Sequence, residues 1–144
     1  MNSEIKFLTS PAINTPHAFF LRHGGVSPAP FGSLNFGGSD DDPENVRINR
    51  ERALTHAGMN PGNVARLNQI HGGDVIIGRD GSQTGDALVT TERGLTLAIG
   101  AADCYPLLFH DAKNHVIGAA HAGWKGTLAR IAGNTIEKMI ELGA

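Results

Sequence analysis

Hydrophobic positions along this chain come in short runs punctuated by glycine and proline, a pattern that predicts short strands, tight turns and two helical stretches. "HAFFLRH" at 17–23 predicts a strand entering a glycine turn, and "GGVSPAPFGSLNFGGSDDDP" at 24–43 predicts a long polar loop of the functional kind. "DDPENVRINRERALTHAGM" predicts a helix in which Asp42 caps, Pro43 takes the first helical position and Gly58 ends the run. Val46, Ile48, Leu54 and Ala57 would form its partly apolar face, with Arg47, Arg50, Glu51 and Arg52 mostly solvated.

Beyond this helix, "VARLNQIHGGDVIIG" predicts a strand, a His-Gly-Gly turn and a second strand. Further strands are predicted at Ala87 to Thr90, Leu95 to Gly100, Pro106 to His110 and Val116 to His121, with "KNH" turning between the last two. A closing helix from about Thr127 would turn Leu128, Ile131, Ile136 and Ile140 toward a core despite Gly133. Strand, helix, several strands, helix is an α+β order of mixed β-sheets with flanking helices. We expect a single domain over 1–144, and strands left without cover on their second face point to a C-terminally truncated fold.

Composition narrows the chemistry. A net charge of −2 offers no basic field for nucleic acid, and no apolar run approaches the length of a membrane span. One cysteine cannot form an internal disulfide, and "MNSEIKFLTS" lacks the basic start and apolar run of a secretory signal, so a cytoplasmic setting is expected. The 19 glycines cluster, and three clusters, "HGGVS", "IHGGDV" and "HAGWKG", each contain a histidine. Such clusters make turns and also allow a ligand to approach the main chain.

Cys104 ends an apolar strand candidate, His121 ends the next, and His71 sits at a glycine turn. Cysteine and histidine brought to one edge of a sheet can hold a catalytic metal with three protein ligands. On the residues alone, a buried inert thiol, a metal ligand and a Cys-His nucleophile all remain open for Cys104. His17, His56, His110 and His115 read as surface or satisfied core residues, and His23 as a turn residue.

Six ordered motifs, "RHGGVS...PFGSLNFG", "DDPENVRINRERA", "LNQIHGGDV", "GDALVTTERGL", "AADCYPLLFHD" and "GAAHAGWKGT", closely resemble the bacterial YfiH-like, or laccase-domain (polyphenol oxidase), family. That family is regarded as purine nucleoside phosphorylases that also deaminate adenosine. The resemblance implies a YfiH-like fold related to the cytotoxic-necrotising-factor deamidases, in a domain of about 250 residues of which this chain would be the N-terminal part. It implies that His71, Cys104 and His121 bind one catalytic Zn2+, with copper the lesser alternative. Purine nucleosides (adenosine, inosine, guanosine, methylthioadenosine) and phosphate are the implied partners, without nucleic acid or membrane.

Within that reading Asp86 is the expected acid/base group, with Asp103 as alternative. The helix opening at "HAGWKGT", with Lys125 and Arg22, is expected to bind phosphate. Asn35, Asn49 and Arg50 match pocket positions, and Trp124 is expected to pack. A Cys-His nucleophilic hydrolase, a copper-dependent polyphenol oxidase and a zinc-held interaction module are the competing readings.

Overall fold

The computed structural model describes residues 4–37 and 40–144, and the chain divides into two compact units, one ending at Pro61 and one running from Gly62 to Ala144. Gly38 and Ser39 of the predicted long loop, and Met1 to Ser3 of the opening stretch, lie outside the described residues.

In the first unit, β1 (Phe7–Leu8) pairs antiparallel with β2 (Phe19–Phe20), so only two residues of the predicted strand at 17–23 join a sheet. Helix α1 (Pro43–His56) starts as expected: the Asp42 side chain accepts from the Glu44 N–H, and Pro43 fills the first turn. Its buried face differs from the expected one, however, because Val46, Asn49 and Ala53 are buried, with polar Asn49 at the centre. Arg50 also leaves the solvated face, donating through Nε and Nη2 to the Phe36 carbonyl at 2.9 and 2.6 Å. Ile5, Leu34 and Ala53 make the core, with Phe7, Phe20 and Phe36 packed on it.

The second unit holds two sheets. The smaller is parallel, β5 (Gly81–Thr84), β3 (Val64–Asn68) and β7 (Thr96–Leu97), in the order β5-β3-β7. The larger runs β4 (Val75–Ile77), β6 (Ala87–Thr90), β9 (Val116–Ala122), β8 (Tyr105–Asp111). Here β4 and β6 are parallel, while β9 is antiparallel to both β6 and β8. Pro106 sits in β8, an edge strand of this sheet, where a missing N–H is tolerated. The predicted "KNH" turn closes β8 onto β9, with Asp111 Oδ1 accepting from the N–H groups of Lys113 and Asn114.

Two helices replace the single one predicted from Thr127: α2 (Trp124–Leu128) and α3 (Ile131–Glu141), broken at Arg130 in the left-handed region at φ 61°. The break rephases the apolar stripe. Ile131, Thr135 and Met139 are buried, whereas Leu128, Ile136 and Ile140 are 76%, 48% and 59% exposed. Gly118 of β9 admits this face, since a Cβ there would lie 3.1 Å from the Met139 sulfur and 3.2 Å from Thr135 Cγ2.

Candidate metal centre

Strand direction explains why residues far apart in sequence meet. Because β4, β6 and β8 all run opposite to β9, their starts lie at the sheet end where β9 finishes. Cys104 precedes β8, Asp86 precedes β6, the His71-Gly72-Gly73 turn precedes β4, and His121 closes β9 opposite Pro106. The His121 N–H donates to the Asp86 carbonyl at 2.7 Å, continuing the β6–β9 ladder to the site.

The ligand atoms of His71, Cys104 and His121 all lie within 4.8 Å of one another. His71 is exposed, Cys104 half-buried and His121 buried, and the two imidazoles meet edge to face with centroids 4.8 Å apart. Space beside them is tight: a Cβ on Gly123 would stand 3.2 Å from Cys104 Sγ and 3.3 Å from His71 Cδ2. Two imidazole nitrogens and a thiolate match the donor set of a three-ligand zinc site with one open position, so the residues present fit a metal. Among the described residues this is the one such group of three.

Asp86 lies beneath the triad with no exposed surface. Its Oδ1 accepts from His121 Nδ1 at 2.8 Å and the His71 N–H at 2.9 Å. Its Oδ2 accepts from the N–H groups of Gly72 at 2.8 Å and Ile70 at 3.1 Å. Burial pushes the carboxyl up, but the hydrogen bonds from His121, Gly72, Ile70 and His71 outweigh burial and hold it below the ordinary carboxylate range. With both oxygens engaged inside the fold, the carboxylate expected to shuttle protons has the geometry of a holder. Asp103, the alternative, is exposed beside Cys104.

Two further devices steady the site, and neither was signalled by the sequence pattern. Gln69 and Gly100 exchange hydrogen bonds, Nε2 to the Gly100 carbonyl at 2.7 Å and the Gly100 N–H to Oε1 at 2.8 Å, tying the chain before His71 to the chain before Cys104. Asn134 of α3 donates to the Gly73 carbonyl at 2.9 Å. The signal that would reveal such pairs is strand register, which a single sequence does not print.

The expected phosphate ligands are placed less tightly. Helix α2 begins right after Gly123 but is only five residues long, and Lys125 is exposed with Nζ 5.5 Å from the Trp124 ring centroid. Trp124, expected to pack, is 71% exposed. Arg22 and Asn35 belong to the first unit. Arg22 donates through Nε and Nη2 to the Gly32 carbonyl at 3.1 and 2.6 Å, and Asn35 Nδ2 donates to Asp41 Oδ2 at 2.9 Å. Both side chains hold the glycine-rich loop.

No helix among the described residues is long and apolar enough to cross a membrane. Residues 16–144 match a protein family described as multi-copper polyphenol oxidoreductase laccase. A purine nucleoside phosphorylase of Deinococcus radiodurans is 50% identical over 141 residues, covering 97% of this chain and 56% of that protein. The crystal structure of YlmD from Geobacillus stearothermophilus superposes with a TM-score of 0.78 at 34% identity, covering 83% of this chain and 49% of that one. The Bacillus licheniformis protein YfiH gives a TM-score of 0.77 at 29% identity, covering 88% and 53%. The chain thus spans about half the length of these relatives. Matched over most of its length and sharing the fold of YlmD and YfiH, the chain belongs to the multi-copper polyphenol oxidoreductase laccase family.

Proposed function

We propose that the protein is a zinc-dependent purine nucleoside phosphorylase that also deaminates adenosine. Adenosine, inosine or guanosine would react with phosphate to give free base and ribose 1-phosphate, and methylthioadenosine to give adenine and 5-methylthioribose 1-phosphate. The convergence of His71, Cys104 and His121 on one point carries the reading. Relatives named purine nucleoside phosphorylase, at 50% and 45% identity over 97% of this chain, give the substrate class.

Bound by this triad, zinc would supply a Lewis acid with an open position at neutral pH. The chain's own residues do the rest. His71 and His121 present neutral imidazole nitrogens, and the Cys104 thiolate lowers the charge of the centre. Lys125, exposed on α2 next to the Gly123 turn, supplies positive charge for phosphate. Asp103, exposed beside Cys104, would be the carboxylate that exchanges protons with solvent and substrate, since Asp86 is enclosed. Zinc is the metal of this reading, with copper the lesser alternative: two imidazoles and one thiolate with an open position suit a catalytic zinc.

One observation favours a second reading. Asp86 orients His121 through Nδ1, and Cys104 lies in the same cluster, the order of orienter, base and nucleophile in a Cys-His hydrolase. The third donor, His71, has no place in that scheme and a ready one in a metal site. Metal content by mass spectrometry, with product chromatography on the same sample, separates the two. About one zinc per chain with release of free base is expected, and Cys104→Ala should lose the metal together with both activities. Turnover in metal-free protein that Cys104→Ala abolishes would replace the phosphorylase reading with the nucleophile.

A further inference from the structure

We infer that Asp86 is a positioning residue that presets two of the three metal ligands at once, fixing the tautomer of His121 and the backbone of His71 through a single carboxylate. The inference rests on the metal-centre reading above and adds what prepares that centre before any ion arrives.

An ionised carboxylate only accepts hydrogen bonds. The 2.8 Å contact between Asp86 Oδ1 and His121 Nδ1 therefore places the imidazole proton on Nδ1, leaving the Nε2 lone pair for the triad. The same carboxylate gathers the successive N–H groups of Ile70, His71 and Gly72 at 3.1, 2.9 and 2.8 Å. Convergence of these N–H groups is a small anion nest with an aspartate as its anion. It gives a physical reason for the left-handed backbone of His71, at φ 61°, which a non-glycine residue adopts only where its surroundings enforce it. A close approach from α2 reinforces the turn: a Cβ on Gly126 would lie 2.8 Å from the Gly72 carbonyl oxygen, so only glycine lets that helix lie against it.

The geometry is matched in kind as well as number. Each oxygen takes two N–H donors, and burial excludes water from replacing any of them. Asparagine keeps the size but retains one acceptor oxygen, and its NH2 group would face donors. With the NH2 turned toward His121, where it meets one backbone N–H rather than two, relief comes if His121 moves its proton from Nδ1 to Nε2, which removes the lone pair that the metal needs. Asp86→Asn should therefore damage metal binding through the tautomer and not only through stability.

The test reads the histidine directly. In metal-free wild-type protein at a pH of about 8, above the ordinary imidazole range, long-range proton–nitrogen NMR should show His121 with its proton on Nδ1. In Asp86→Asn the proton should shift to Nε2, and zinc affinity, measured by competition with a chelator, should fall roughly 10- to 100-fold. Wild-type His121 protonated on Nε2 would overturn the inference even if the variant fails to fold. So would a folded Asp86→Asn whose zinc affinity stays within about twofold of wild type. Wild-type protein that binds no zinc yet keeps the Nδ1–H tautomer would remove the metal reading and leave the hold of Asp86 on His121 standing.

Discussion

Asn49 in the first unit and Asp86 in the second are both fully buried polar side chains on regular elements or at their edge, and both hold a glycine-rich loop. They differ in what they can offer. The Asn49 amide accepts from the Val26 N–H at 2.8 Å and donates to Ser27 Oγ and to the carbonyls of Ser33 and Asn35 at 2.8, 3.2 and 2.9 Å. It binds a loop that presents both donors and acceptors, and the product is shape. Asp86 accepts only, from three backbone N–H groups and an imidazole, so beyond shape it dictates where a proton sits. A neutral hub and a charged hub thus do similar structural work, and only the charged one sets the chemical state of a ligand.

The sharpest break of this comparison is Asn49→Ala. It strands the Val26 N–H, while the Ser33 carbonyl keeps the Ser27 N–H as donor, at a side chain with no exposed surface. An unsatisfied buried group costs about 1–3 kcal/mol, so a loss of about that size is expected in denaturant unfolding. A loss below about 1 kcal/mol would mean that water replaces the amide and that the loop is held elsewhere.

A smaller change addresses the metal side. Gly123 has φ −75° and ψ 175°, a conformation open to alanine, so the backbone accepts Gly123→Ala and the cost falls on the neighbours of the added methyl. Its methyl would press on Cys104 Sγ and His71 Cδ2 at 3.2 and 3.3 Å. Spreading two ligands by a few tenths of an ångström should weaken zinc binding by roughly tenfold, in line with an overpacking cost of about 1 kcal/mol. Unchanged affinity would show that the triad is looser than Asp86 alone would make it.

How much of this was legible in the sequence follows the same divide. The α+β class and the cap of α1 by Asp42 rest on local chemistry, and local chemistry is written in the chain. His71, Cys104 and His121 were picked out as candidates, yet their convergence depends on β9 running antiparallel between β6 and β8, a non-local choice. Asp86 reads from the sequence as a proton-transfer group, and residue type and position do not reveal its burial. The buried face of α3 differs from the expected one for a backbone reason: nothing in "GTLARIAG" marks Arg130 as left-handed, and that one residue exchanges the expected core positions Ile136 and Ile140 for Thr135 and Met139. Asn49 does not read as a core residue, because a polar side chain counts against burial until its partners are known.

The smallest effect concerns charge inside the neutral hub's own loop. Asp41 Oδ2 accepts from Ser27 Oγ at 2.5 Å and Asn35 Nδ2 at 2.9 Å, so a carboxylate sits two hydrogen bonds from Asn49, through Ser27 Oγ. The Ser27 hydrogen bond first, then those from Asn35, the Asp42 N–H and Asn45, hold the Asp41 carboxyl below its ordinary value of 3.8 against the opposing effect of burial. A folded-state pKa below the unfolded one means that its stabilisation is fully present above the ordinary carboxylate value and is lost as pH falls through the folded value. Asp41→Asn removes the titrating group while keeping its size. The stability gap between wild type and this variant, followed by urea unfolding from a pH of about 5 down to about 2, should therefore narrow as acid is added. A gap that stays constant would make Asp41 a neutral spacer like Asn49, and would leave Asp86 as the carboxylate whose charge organises a loop.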